Sequence, residues 1–201
     1  MRDPSVPSGP SASDGPDVRD GAIRQLSTRV AYETPSIRVR EDEVLWPNGD
    51  RGVYSVVERD DYALVLPRER GGFWLVEQFR YPVGRRAWEF PAGAWPHGSA
   101  GGTSEALARA ELREETGLRA GRLTHLGRLA EAYGFVAKSV DVFLAEELAH
   151  GAHEREATEQ DMRQQWFSDD EVAAMVRSGA IVETAALAAL TLFWVERAAT
   201  L

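Results

Sequence analysis

The chain has 201 residues, 43% of them hydrophobic, with a formal net charge of -9 and no cysteine. That length accommodates one domain with a tail or extension. The missing cysteines exclude disulfides, thiolate metal sites and cysteine nucleophiles. The acidic balance argues against a surface built mainly to grip nucleic acid or anionic lipid, although a bound cation can reverse the local field and let an acidic protein take phosphates. No apolar run approaches the ~18–20 residues of a membrane span, and the N-terminus lacks the basic-then-apolar order of a secretion signal. The expectation is a soluble, cytoplasmic protein.

Residues 1–22 are dominated by Pro, Ser, Gly and Asp with almost nothing apolar. Such a stretch cannot bury enough surface to offset its ordering entropy, which predicts a disordered tail. From about Arg29 the sequence reads as strands. "SIRVREDEVLWPNGDRGVYSVVER" alternates apolar and polar residues on both sides of Pro47-Asn48-Gly49, and Asn-Gly readily takes positive φ, so a β-hairpin is predicted. "YALVLP" and "FWLVEQFRY" are two further strands across the turn-like "RERGG", and "WEFPAG", residues 88–93, reads as a strand ending in a tight Pro-Ala-Gly turn.

"TSEALARAELREET" combines strong helix formers with Thr103 or Ser104 as N-cap and Gly117 as the stop. "GRLTHLGRLAEAY" and "SVDVFLAEEL" return to β-like patterns. Ser168 followed by Glu171 is a capping-box signature, opening a helix over "DDEVAAMVRS" that Gly179 ends, and "ETAALAALTLFWVERAA" is a longer apolar helix. Strands around one central helix, with helices at the end, predict a mixed α/β sandwich.

The central helix concentrates acid. Glu111, Glu114 and Glu115 are related by i,i+3 and i,i+4 spacing and share one arc of about 100°, whereas Arg109 and Arg113 point to a different side. A solvated face usually mixes its charges, and like charges here repel. Three converging oxygen donors are what a hard divalent ion such as Mg²⁺ or Mn²⁺ requires.

Together these residues resemble the Nudix hydrolase family, whose signature reads G-x5-E-x7-R-E-U-x-E-E-x-G-U, with U aliphatic. Glu111, Leu112, Glu114, Glu115, Gly117 and Leu118 match its second half. The first half departs: Ala110 stands at the motif arginine, Gly102 at the earlier glutamate, and the stretch from Gly93 to Glu111 is longer than the pattern by three residues. The resemblance implies a Nudix-type α/β/α sandwich with a mixed sheet over 59–201. It also implies an N-terminal β extension over 23–58 that completes the pocket of a second subunit in a homodimer. Family members cleave the pyrophosphate of a nucleoside diphosphate linked to another moiety, using Mg²⁺ or Mn²⁺ held on the motif helix. A Nudix domain that binds a nucleotide as a regulator, with catalysis weakened by Ala110 and Gly102, is the alternative.

"LVEQFRYPVGRRAWEFPAG" is similar to the ADP-ribose and nucleotide-sugar pyrophosphatase branch. By that resemblance the Ala92 carbonyl joins Glu111, Glu114 and Glu115 at the metal, Glu114 also serves catalysis, and Arg80 and Glu89 line the substrate pocket. The bland reading of Glu89 is a partner for Arg85 or Arg86. Tyr133 stands where the ADP-ribose enzymes often carry proline, and could stack on a base or belong to the core. The branch takes its catalytic base from a loop after the last core strand. Here "AHGAHEREATEQDMRQQ" offers Glu154, Glu156, Glu159 and Asp161, of which Glu159 fits best.

Overall fold

The computed structural model describes residues 22–96, 101–155 and 159–198. The tail predicted over 1–22 lies outside the described residues up to residue 21. Strands β1 (Arg24–Thr34), β2 (Ile37–Leu45) and β3 (Arg51–Glu58) follow as an antiparallel meander, with Leu45 opposite Arg51 across the Asn48-Gly49 turn and Gly49 at φ 88°. This is the hairpin that the Asn-Gly pair predicts.

The second sheet is built on β4 (Tyr62–Glu69), β5 (Gly72–Arg80), β8 (Arg119–Ala130), β10 (Ser139–Ala149) and β11 (Arg163–Ser168), in the order β11-β5-β4-β10-β8. β10 runs parallel to β4 and the other neighbours are antiparallel, so the sheet is mixed. β6 (Arg85–Glu89) pairs with β5, β7 (Ala92–Gly93) pairs with β4, and β9 (Val136–Ala137) joins the N-terminal sheet beside β3.

β4 and β10 are buried on both faces, and their period-two alternation sorts two cores. Tyr62, Leu64 and Leu66 pack with Phe73, Phe90 and residues of α2 (Asp169–Ser178) and α3 (Thr184–Ala198). Ala63 and Val65 pack with Phe143, Leu107 and Leu112 of α1 (Ser104–Thr116). The sheet is thus sandwiched between α1 on one side and α2 and α3 on the other, as expected for the α/β/α class. The capping box of α2 and its Gly179 terminator are both present.

One local expectation is corrected. Pro91-Ala92-Gly93 is not a tight turn: Val65 N donates to Pro91 O at 2.9 Å, and Ala92 and Gly93 pair with Leu64 and Ala63. The chain gains more by continuing the ladder along β4 than by turning, because a buried backbone group left unpaired is costly.

Candidate active site

α1 sets the position of the acidic residues. Thr103 Oγ1 accepts from Ala106 N at 3.1 Å, and Gly117 closes the helix at φ 73°. Leu107, Ala108, Leu112, Glu115 and Thr116 form its buried side, so Glu115 sits at the end of an apolar stripe with only 2% of its surface exposed. Its Oε2 is buried and has no hydrogen-bond partner among the described residues. Burial pushes the Glu115 carboxyl well above its ordinary range, and the charges of Glu111, Glu159 and Glu89 push the same way, with Arg80 opposing.

Glu111 lies against β7. A Cβ placed on Gly93 would stand 2.4–2.6 Å from the Glu111 carboxylate, so the missing side chain at 93 is the space that the carboxylate occupies. Glu114 departs from expectation. Arg113 does not point away from the cluster but donates to Glu114 Oε1 at 2.7 Å. The Cα spacing fixes where a side chain starts, while an arginine is long enough to curl along the helix to its neighbour. Among the described residues no three acidic or histidine side chains form a ready-made cation cage. Two observations nevertheless fit a hard divalent ion: the unpartnered Oε2 of Glu115 and the glycine cradle of Glu111, both presenting oxygen.

The loop after β10 docks on the end of this helix. Glu154 N donates to Glu114 O at 2.8 Å, and Arg155 Nε donates to Glu115 O at 2.9 Å. Arg155 also donates through Nη1 to Met162 O, while Gln160 Nε2 donates to Arg155 O at 2.9 Å. Arg155 is therefore a strut between the glutamate helix and the segment that carries Glu159. At Gly117 a Cβ would lie 2.3 Å from Gly151 O, so the close approach of this loop requires glycine there.

The base candidates separate by what surrounds them. Glu154 lies 3.5 Å from Arg113 and 3.9 Å from Arg119, and Asp161 is 2.6 Å from Arg86. Glu159 bears electrostatically on Glu115, and Glu156 lies outside the described residues.

A cavity of about 690 Å³ opens beside β7 and is lined by Tyr62, Arg80, Glu89, Ala92, Gly93 and Trp95, with Lys138 and Glu183 on its walls. Arg80 grips the buried Glu89 in a fork, Nε at 3.0 and 3.1 Å from the two carboxylate oxygens and Nη2 at 3.0 Å. Neither Arg85 nor Arg86 is the partner of Glu89: Arg85 donates to Gly179 O, and Arg86 to Glu77 and Asp161. Tyr133 is 86% exposed, so it is not a core residue, and it does not line this cavity. Sequence reasoning passed over Glu183, Arg155 and Trp95. Arg155 and Glu183 stand in unremarkable local contexts, and only the fold brings them to the site.

A family model described as the NUDIX domain matches residues 58–187. The ADP-ribose pyrophosphatase of Mycobacterium tuberculosis is 36% identical over 165 residues, covering 81% of this chain and 79% of that protein. The ADP-ribose pyrophosphatase of Bacillus subtilis is 36% identical over 119 residues, 59% of this chain and 63% of that protein. A crystal structure of an ADP compounds hydrolase superposes with a TM-score of 0.75 at 18% identity, covering 87% of this chain and 94% of that one. The chain belongs to the Nudix family.

Two outcomes follow from this geometry. In Gly93→Ala the new methyl displaces only the end of the flexible Glu111 side chain, so the protein folds while Mg²⁺ affinity falls at least about tenfold by calorimetry. Unchanged affinity would exclude Glu111 as a metal ligand. The second outcome concerns pH. Burial pushes the Glu183 carboxyl up to about 7, with Glu89 adding and Arg80 opposing. A raised carboxyl binds its proton more tightly folded than unfolded, so its contribution to stability is full below about 4.5 and is lost as pH rises through about 7. Urea unfolding in EDTA should show a loss of up to roughly 3 kcal/mol from this group between pH 5 and 8. Glu183→Gln flattens that slope, and equal slopes in the two proteins would exclude this cause.

Proposed function

We propose that the protein is a metal-dependent pyrophosphohydrolase that cleaves ADP-ribose or a related nucleotide sugar. The observation that carries this reading is the buried, unpartnered Glu115 oxygen set among like charges beside a substrate-sized cavity. Such an arrangement costs stability unless a cation relieves it, and functional sites are where such perturbed groups gather. The two 36% identical relatives are ADP-ribose pyrophosphatases, which supports this substrate class.

In this reading Glu111, Glu114, Glu115 and the Ala92 carbonyl would hold Mg²⁺ or Mn²⁺, for which Glu114 would exchange its contact with Arg113 for the ion. An ion held there would neutralise the pyrophosphate and stabilise charge developing on its oxygens. Glu159 takes a proton from the attacking water, held toward Glu115 by the Arg155 strut. Arg80, preset by its fork on Glu89, offers its remaining N–H donors to the substrate, as guanidinium suits phosphate oxygens. Neither Ala110 nor Gly102 removes any of these groups.

The N-terminal extension over 23–58 is proposed as a dimerisation element, residues 59–201 being the catalytic unit. The family match begins at residue 58. β1 is solvent-exposed along almost its whole length, yet it carries Leu26, Val30 and Tyr32, with Val53 exposed on β3. An exposed strand with apolar side chains and a free edge is suited to a second copy. Tyr133 then has a role only if the partner brings a substrate to it. Light scattering at tens of micromolar is expected to give twice the single-chain mass, and the single-chain mass would refute the dimer.

The activity itself is tested by supplying ADP-ribose, nucleotide sugars and diadenosine polyphosphates with Mg²⁺. ADP-ribose is expected to yield AMP and ribose 5-phosphate, and Glu115→Gln to lower kcat by at least about 10²-fold. Binding without turnover would mark a nucleotide-binding regulator instead.

A further inference from the structure

The N-terminal extension reaches the cavity beside the glutamate helix. Pro35 and Ser36, in the turn between β1 and β2, line it, and so do Arg59 and Asp60, which follow β3. The family resemblance gives such an extension to the pocket of a second subunit. Here covalent connection and register point to its own. Only Arg59, Asp60 and Asp61 separate Glu58, the end of β3, from Tyr62, the start of β4. Fully extended, that link spans only about 14 Å from Glu58 to Tyr62, and Tyr62 lines the cavity of the same chain. Register then places the turn. Arg38 pairs with Glu58 and Thr34 with Ile37, which leaves Pro35-Ser36 beside the end of β3.

β3 is tied to its own chain along its other edge as well. It pairs in parallel with β9, Val57 N donates to Phe135 O at 2.8 Å, Arg59 N to Ala137 O at 3.4 Å, and Tyr54 Oη donates to Gly134 O. The charges of the lining balance, Arg59, Arg80 and Lys138 against Asp60, Glu89 and Glu183, so net charge selects nothing. The commitments of the cations differ. Arg80 is held by Glu89 and Lys138 by Glu131, whereas among the described residues no carboxylate pairs with Arg59. Its guanidinium N–H groups are left for a ligand, and they suit oxygen acceptors such as those of a phosphate.

We propose that the extension completes the substrate cavity of its own chain, and that Arg59 is the substrate-binding residue of that wall. The assignment rests on the pyrophosphatase reading above and adds to it a binding residue and the subunit that supplies it. β1 keeps its exposed apolar side chains for a second copy, so a dimer would hold two sites, each walled by its own extension.

The test starts from Arg59→Ala, which folds because Arg59 is exposed. A hydrogen bond to a charged group corresponds to roughly 10–100-fold in affinity. KM for ADP-ribose is therefore expected to rise about tenfold with kcat changed less than about threefold, and Arg59→Lys, which keeps the charge, to fall between. An unchanged KM in Arg59→Ala would overturn the proposal. The subunit of origin is read from a hybrid of Arg59→Ala and Glu115→Gln chains carrying different tags, isolated by two affinity steps. If each extension serves its own chain, every site of the hybrid carries one defect, and kcat/KM is about half that of the Arg59→Ala dimer. If the extension serves its partner, one site is intact and the hybrid returns to about half the native kcat/KM, which also overturns the proposal. If the protein runs as a single chain, no hybrid forms and the KM rise alone places Arg59 in its own site. Calorimetric binding of ADP-ribose to the native protein and to Arg59→Ala reads the loss without turnover. Binding that depends on Arg59 without any hydrolysis would sink the reaction and keep the site, and hydrolysis indifferent to Arg59 would do the reverse.

Discussion

The structure turns on one electrostatic problem, the burial of the Glu115 carboxylate among Glu111, Glu89 and Glu159. A buried carboxylate without a partner is among the costlier features a small domain can hold. The neighbouring devices answer it in different ways. Arg80 offsets charge from the cavity side while locked on Glu89, and Arg155 holds the Glu159 segment to the last turn of α1. At Gly93 the absent side chain gives the Glu111 carboxylate somewhere to sit. None of these supplies a hydrogen bond to Glu115 Oε2, and that remaining need is what the proposed divalent ion meets.

Rigidity for this arrangement comes from β4. Buried on both faces, it packs α1 through Ala63 and Val65 and α3 through Leu64 and Leu66, and it carries β7 on its edge. The helix that holds the glutamates and the strand that cradles one of them are thereby positioned by the same eight residues. The cavity opens where β5, β6, β7 and the start of α3 converge, so its walls come from segments about a hundred residues apart. A departure such as Gly102 or Ala110 changes one turn of the motif without disturbing that scaffold.

Much of this was legible locally. The caps of α1, the Asn48-Gly49 hairpin and the capping box of α2 are short-range features whose physics is contained within a few residues, and all are found. The readings that failed depended on distant neighbours. Pro91-Ala92-Gly93 reads as a turn until β4 offers hydrogen bonds to it. Arg113 was assigned to another side by helical angle, yet its guanidinium returns to Glu114. Tyr133, read as stacking on a base or belonging to the core, is 86% exposed, which excludes the core reading alone.

The sequence by itself determined the family, the α/β/α class and the three glutamates on one helix, because motif spacing and helical period are written in consecutive residues. It also nominated Arg80, Glu89 and Glu159. Only the tertiary structure decided that Arg80 pairs with Glu89, that Arg155 braces the helix end, that Glu114 starts out on Arg113 and that Glu183 shares the cavity. Each of those is a choice of partner for a charged group. In a chain with 32 acidic and 23 basic residues, many partners are compatible with the sequence, and burial and distance select among them.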